Sequence, residues 1–192
     1  MDRPNAITPV ERERLTRYLA ASREKLLLLV KGLSAAELDY KPAPDRWSAA
    51  ENIEHITVVE NIVFGRVTSA LGSSPDPSKR GAWEGRDDAI VHEVESRVKR
   101  LQAPELGLPK GRWAHDELFR QFEATRQRTS DFATSTTAAP RSHVFPHPFF
   151  GELDCYQWML LMGAHCIRHT AQIEELMATP GFPRAAATAT AS

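Results

Sequence analysis

A chain of 192 residues is long enough for one domain with a sizeable hydrophobic core. Its net charge of -1 gives no electrostatic basis for binding nucleic acid or an anionic membrane surface, and no apolar run could span a bilayer. Because the N-terminus lacks a signal-peptide region and Cys155 and Cys166 offer no disulfide framework, we expect a cytoplasmic protein.

The first predicted helix begins with a capping box. Thr8 can cap it, Pro9 suits its first turn, and Glu11 completes the box. Apolar residues then keep helical spacing until Gly32 ends the helix. Ser34 starts a short further turn of helix, which two prolines interrupt.

The second long helix has apolar residues on two sides, which is typical of a central helix. Ser48 and Glu51 form its capping box, and the helix runs to about Leu71. His55 lies in the middle of one of the apolar sides.

The connection over residues 73–111 is long for a compact domain. Prolines and glycines break it at both ends, and residues 88–101 are predicted to be partly helical. Connections of this length tend to be functional or to contact a partner. The sequence leaves open whether this one closes a pocket or forms a dimer contact.

Two more long helices follow. Asp116 is predicted to cap the third, which has one apolar face and one face of Arg, Gln and Glu. After a predicted loop over 140–151, Asp154 and Gln157 cap the fourth helix, which ends near Ala178.

These four amphipathic helices determine the predicted fold class. No segment gives a convincing strand pattern, so we predict an all-α protein, a four-helix bundle over residues 8–178. Residues 179–192, mostly Ala and Thr, are predicted to be a disordered tail. Bundles of this kind place ligand and metal sites between facing helices.

Three histidines in the middle of helices indicate a possible metal site. His165 and His169 lie four residues apart on one face of the fourth helix, and His55 lies on an apolar face of the second. Three neutral imidazoles suit zinc or nickel and leave a position open for water or substrate. The alternative is three core histidines with ordinary hydrogen-bond partners, and the pattern leaves both interpretations open.

Other residues near these histidines have more than one possible role. Glu51 could bind the metal, orient a ligand or act as a base, although its capping box favours a structural role. Gln172 could line the pocket or bond across the bundle. Arg168 could contact an anionic substrate, with a salt bridge as the favoured alternative. Cys166 is predicted to be a packed core thiol. His147 could rim a pocket, with a loop residue as the favoured interpretation, and no catalytic residue is assigned.

The sequence resembles the DinB-like family in three blocks, which together span about residues 12–176. The first is a "Trp-Ser, then Glu, then His" opening of the second helix, and the last contains the two histidines of the fourth. In this sequence the blocks are Arg46–His55; Pro104–Pro109 with Trp113 and 117–126; and His147–Leu153 continuing through His165, Arg168, His169 and Gln172.

The resemblance implies a bundle of up-down-down-up topology, often dimeric, with a divalent metal held by His55, His165 and His169. It also implies an enzyme that uses the metal to hold a low-molecular-weight thiol, such as bacillithiol or mycothiol, as a thiolate that attacks an electrophile. A hydrolase that uses metal-bound hydroxide is the enzymatic alternative. A non-catalytic stress or binding module is the alternative of another class.

Overall fold

The computed structural model describes residues 6–75, 83–98 and 102–184, and most of these are helical. In chain order the helices are α1 (Pro9–Val30), α2 (Ala35–Asp39), α3 (Ala49–Leu71), α4 (Asp87–Glu95), α5 (His115–Ser135) and α6 (Cys155–Met177). Two 3₁₀ turns, Glu105–Gly107 and Pro140–Ser142, lie in the connections.

Four of these helices are long and pack around a shared interior. α1 and α3 each contact both α5 and α6, so apolar side chains from all four meet in the core. The short helix α4 packs on the outside of α6. The prediction of a mostly helical protein is confirmed. In the described ranges, no helix is both long and apolar enough to cross a membrane.

The predicted helix starts are confirmed, with both hydrogen bonds of a capping box in place, at Thr8, Ser34, Ser48 and Asp154. The prediction that Asp116 caps α5 is wrong, because the helix begins after Ala114, which gives no side-chain cap. Asp116 lies instead in the first turn of α5. A carboxylate is favourable there as well, since it is close to the positive end of the helix dipole.

The segment before α6 contains a β-hairpin, where the sequence predicted only a loop. Strand β1 (Val144–His147) pairs antiparallel with β2 (Gly151–Asp154). Each strand has four residues and Pro146 interrupts the first, so neither shows an alternation long enough to be recognised. The all-α prediction is therefore corrected by this hairpin, which leads directly into the N-terminus of α6.

The packed part of the chain extends past the predicted domain end at residue 178. Phe182 is buried, and its ring meets that of Tyr40 edge-on, with centroids 5.4 Å apart. The Tyr40 hydroxyl donates a hydrogen bond to the carbonyl of Pro180. The start of the predicted tail thus packs against the chain after α2, because Phe182 adds apolar surface; residues 185–192 lie outside the described ranges.

The core also contains an ion pair between α3 and α5. Arg126 and Glu60 are both buried, and the guanidinium holds the carboxylate through contacts of 2.7 to 3.1 Å. The guanidinium also donates to the Leu19 carbonyl, the Ser22 hydroxyl and the Met162 carbonyl. Arg126 therefore joins all four long helices through hydrogen bonds.

Candidate metal centre

The three mid-helix histidines come together between α3 and α6. His55 lies on α3, while His165 and His169 follow each other by one turn on α6. One ring nitrogen of each lies within 4.8 Å of the others. His55 and His169 are buried and His165 is partly exposed, so the cluster reaches the surface on one side. The structure thus brings together the residues that the sequence singled out.

A backbone carbonyl fixes the tautomer of His55. Its Nδ1 lies 2.6 Å from the carbonyl oxygen of Gly107, and since a carbonyl only accepts, Nδ1 carries the proton and donates. The lone pair of His55 is therefore on Nε2, which faces the cluster and lies 3.1 Å from Nε2 of His165. Gly107 belongs to the long connection after α3, so that connection contributes to the site.

A side-chain amide fixes the tautomer of His169 in the same way. Its Nδ1 lies 2.9 Å from Oδ1 of Asn52. Flipping the side-chain amide of Asn52 would break a hydrogen bond, because its Nδ2 donates to the Ser48 carbonyl at 2.8 Å. Nδ1 of His169 therefore donates, and Nε2 carries the lone pair. Hydrogen bonds on the outer nitrogen are the usual means by which proteins orient metal-binding histidines.

The distance between the two Nε2 atoms of His55 and His165 fits a shared ion. With zinc–nitrogen bonds of about 2.0–2.1 Å, two ligands lie roughly 3.3 Å apart at a tetrahedral angle and roughly 2.9 Å apart at a right angle. The observed 3.1 Å falls between these values. The donor set also fits, because neutral imidazoles are good ligands for zinc and nickel.

Burial keeps these imidazoles neutral. It lowers the pKa of His55, an effect that the hydrogen bond to Gly107 partly offsets. The pKa values of His165 and His169 lie well below the ordinary histidine value, first because of burial and then because the other imidazoles and Arg168 disfavour another positive charge. Neutral imidazoles have lone pairs for a metal ion, so at neutral pH the cluster is in its ligand form.

Trp47 covers one side of the cluster. Its ring centroid lies 4.8 Å from that of His55 and 6.0 Å from that of His169, and it is nearly parallel to the latter. Trp47 directly precedes the Ser48 cap of α3, so the capping box that starts the helix also places the indole. The result is an apolar wall beside three polar rings.

The acidic residues near the cluster are turned away from it. Glu51 closes the capping box with Ser48 and pairs with Lys41, which is the structural role favoured from the sequence. Glu54 accepts hydrogen bonds from the backbone of residues 110–112 and pairs with Arg112. In the described part of the chain, the group of potential metal ligands at this site consists of the three histidines.

The other sequence candidates have defined positions. Gln172 accepts a hydrogen bond from Arg97, which lies just after α4, and Arg168 donates to the carbonyls of Val94 and Ser96 at the end of α4. Cys166 is buried, as predicted for a packed core thiol.

His147 is a strand residue and not a loop residue. Its ring lies 4.8 Å from Trp158 on α6 and 4.7 Å from Phe150 in the hairpin turn. Trp158 precedes His165 by seven residues, so the two lie on the same face of α6. The hairpin therefore forms an aromatic wall on the histidine face, about two helical turns from the cluster.

Sequence reasoning did not assign Asn52, Gly107 and Trp47 to the site. Asn52 could have been found, because it precedes His55 by three residues and so lies on nearly the same helix face. Gly107 carries no such signal, since it lies 52 residues from His55 in an irregular connection and acts through its backbone.

The fold and the site define a helical protein with three histidines gathered between two long helices. The family model of the DinB superfamily matches residues 18–173, a range that includes all three histidines. The chain therefore belongs to the DinB superfamily, and the resemblance seen in the sequence is confirmed. A similar relative is the uncharacterized protein YuaE of Bacillus subtilis (strain 168), which is 24% identical over 152 residues, covering 77% of this chain and 87% of that protein.

Proposed function

We propose that this protein is a metal-dependent transferase that adds a low-molecular-weight thiol to an electrophile. His55, His165 and His169 would hold one divalent ion, with zinc or nickel as the best match to three imidazoles. The observation that carries the proposal is the convergence of three neutral imidazoles, two of which have their outer nitrogens fixed by the chain. Three protein ligands leave a coordination position open, as in catalytic and not structural sites.

A bound divalent ion would lower the pKa of a coordinated thiol and so supply a thiolate at neutral pH. The protein's own groups prepare the site for this. Gly107 and Asn52 keep the lone pairs of His55 and His169 directed inward, and Trp47 excludes water from one side. The thiol would release its proton to solvent, its sulfur would form the bond to the electrophile, and the leaving group would depart with its electron pair.

The surroundings of the cluster favour a thiol over water as the nucleophile. Activation of water by a hydrolase commonly requires a base, yet Glu51 and Glu54 are both engaged elsewhere. The charged residues that act on His169 are cationic, Arg168 and Arg97, and they would stabilise an anionic nucleophile, whether thiolate or hydroxide. A hydrolase acting at the same position is the alternative outcome of the experiment below.

The test begins with metal content. The protein purified without a histidine tag is expected to contain about one transition-metal ion per chain, and a His165→Ala/His169→Ala variant none. His92→Ala, which replaces an exposed histidine of α4, is the control and should keep the metal. A parent that cannot be loaded with zinc, nickel or manganese would contradict the proposal and leave a non-catalytic binding or stress module.

Turnover is the second part of the test. The loaded protein should consume thiol and electrophile together, and His55→Ala should abolish this while its helical circular dichroism is unchanged. Hydrolysis without thiol consumption would favour the hydrolase. Retained turnover in His55→Ala would contradict both enzymatic functions.

The resemblance adds proposals about organisation. The up-down-down-up order of the four long helices is implied by the resemblance, and α1 and α3 each pack on both α5 and α6. A homodimer and a cytoplasmic location remain predictions. Sedimentation of the metal-loaded chain would test the dimer, and fractionation of cells that express it would test the location.

A further inference from the structure

Arg97 lies just after α4 and holds two side chains near the end of α6. Its Nη1 donates to Oε1 of Gln172 at 3.2 Å, and its Nε and Nη2 hold the carboxylate of Glu175 at 2.5 and 2.6 Å. Gln172 follows His169 by three residues, a rise of about 4.5 Å along the helix. The Arg97 guanidinium therefore lies roughly one turn beyond the cluster, on the side where α6 ends.

Arg168 fixes the backbone that carries Arg97. It is buried on α6 and donates to the carbonyls of Val94 and Ser96, at the end of α4. Ser96 immediately precedes Arg97, so this clamp sets the position of Arg97 relative to the histidines. Arg168 thus positions the backbone that leads to Arg97.

Arg46 is a second cation whose charge acts at this end of α6. It directly precedes Trp47, whose ring lies against His55 and His169. Within the described ranges its guanidinium has no hydrogen bond or ion pair, although its charge helps to lower the pKa of Glu175 after the hydrogen bond from Arg97. The charges of three arginines, Arg97, Arg46 and Arg168, therefore act on the Glu175 carboxylate, and Arg97 also contacts it. The rim formed by Arg46, Arg97, Gln172 and Glu175 carries two cations against one carboxylate.

We propose that this rim binds the carboxylate of an anionic low-molecular-weight thiol, through Arg46 and Arg97. The inference rests on the proposed function, because it assigns the sulfur to the histidine cluster and the carboxylate to the rim. The roughly one-turn offset suits a molecule whose sulfur and carboxylate are a few bonds apart. Guanidinium groups are well matched to carboxylates because they donate two parallel hydrogen bonds.

The test compares two thiols that differ in charge. The cobalt-loaded protein is titrated with 3-mercaptopropionate and with its neutral analogue 3-mercaptopropan-1-ol, and the sulfur-to-cobalt absorption band reports binding. The carboxylate should tighten binding about threefold to tenfold, the range for a charge-assisted contact that is partly exposed. Equal affinities would overturn the rim while leaving the proposed function intact.

Variants of the rim distinguish binding of the thiol carboxylate from a purely structural role of Arg97. Arg97→Gln and Arg46→Gln should each reduce the preference for the charged thiol without changing the affinity for the neutral one. Glu175→Gln should increase that preference, because it removes a competing carboxylate from Arg97. Arg17→Gln, on the outside of α1 beside Glu13, is the control and should change neither affinity. If Arg97 only ties α4 to α6, Glu175→Gln would give no increase, and the proposal would be wrong.

A different result would identify failure of the proposed function itself. If neither thiol gives an absorption band, the cluster does not bind thiolate. Anion binding by the rim is then tested separately, by titrating the metal-free protein with succinate. Shifts of the Arg46 and Arg97 Nε–H resonances that disappear in Arg97→Gln would support an anion site. Unchanged resonances would overturn the rim as well.

Discussion

Two polar clusters occupy the interior of this bundle, and they differ in where their hydrogen-bonding capacity is directed. Around Arg126, the donors are met by Glu60, Ser22 and backbone carbonyls of the same chain. In the histidine cluster, Gly107 and Asn52 accept from the outer nitrogens of His55 and His169, and the Nε2 atom of His55 faces that of His165. The first cluster is complete without a ligand, whereas the second has lone pairs converging on one region.

The difference separates structural polar groups from binding groups in a core. A buried charge with all its partners holds helices in one arrangement, because any other arrangement would leave the charge unpaired. Converging acceptors gain little from one another until a cation lies between them. Whether each polar atom has a hydrogen-bond partner therefore distinguishes a binding cluster from a structural one better than burial does, because both clusters are largely buried.

The largest expected effect on stability comes from removing the charge partner of Arg126. Glu60→Gln removes the charge partner of buried Arg126 and should lower the free energy of unfolding by about 3–5 kcal/mol. Denaturant unfolding followed by circular dichroism measures this loss. Arg23→Gln breaks the exposed pair with Glu123 and should cost less than about 1 kcal/mol. Similar losses in the two variants would show that Arg126 is not a structural centre.

A half-buried histidine outside both clusters gives the next effect. Burial lowers the pKa of His147 to about 4, whereas an unfolded histidine titrates near about 6.5. Between these values only the unfolded state takes up the proton, so the free energy of unfolding falls as pH falls, by up to about 3 kcal/mol.

The variant His147→Gln cannot take up this proton. Metal-free His147→Gln should therefore lose less stability than the parent between pH 7 and pH 4.5, as measured by denaturant unfolding. His92→Gln, at an exposed position on α4, is the control for replacing a histidine. An unchanged pH dependence in His147→Gln would mean that His147 is protonated in the folded state.

The support of the histidine cluster can be tested through Asn52. Asn52→Leu removes the acceptor for Nδ1–H of His169 and should weaken metal binding by about 10- to 100-fold. Competition with a chromophoric chelator measures this affinity. Asn61→Leu changes an amide on the same helix that bonds to Thr57 and Thr125, and it should leave the affinity unchanged. Equal effects would indicate general loosening of α3.

Gly107 should give the smallest effect. A Cβ at this position would lie 3.1 Å from Cγ2 of Val59 and 3.3 Å from Cε1 of His55, so Gly107→Ala must move the turn or the ring. We expect a loss of roughly 1 kcal/mol in metal binding, about fivefold, by the same chelator assay. Gly65→Ala has open space around its Cβ and should leave metal binding unchanged. Unaltered affinity in Gly107→Ala would mean that the contact does not position His55.

The parts that could be predicted from the sequence are those governed by local rules. Helix periodicity and capping boxes identified the long helices, and the spacing of four placed His165 and His169 together. His55 was added because it interrupts an apolar face. These signals lie within one helix each, so no knowledge of how the helices pack was needed.

The remaining features depend on how distant segments meet. The sequence pattern assigns Arg126 to the polar face of its helix. It is nevertheless fully buried, because Glu60 on another helix compensates its charge. The Gly107 carbonyl reaches His55 across 52 residues and has no side-chain signature. The hairpin was not predicted because its first strand has only four residues and Pro146 interrupts their alternation.

The position of Trp47 has a practical consequence. Its indole lies within contact distance of two of the three imidazoles, whereas other tryptophans, such as Trp83 and Trp158, pack near the hairpin. Nickel and cobalt ions quench nearby indole fluorescence, and zinc, with its filled d-shell, quenches far less. The chain therefore carries its own optical reporter: the emission of Trp47 would reveal occupancy of the cluster in real time, and a Trp47→Phe variant would show which part of the signal it supplies.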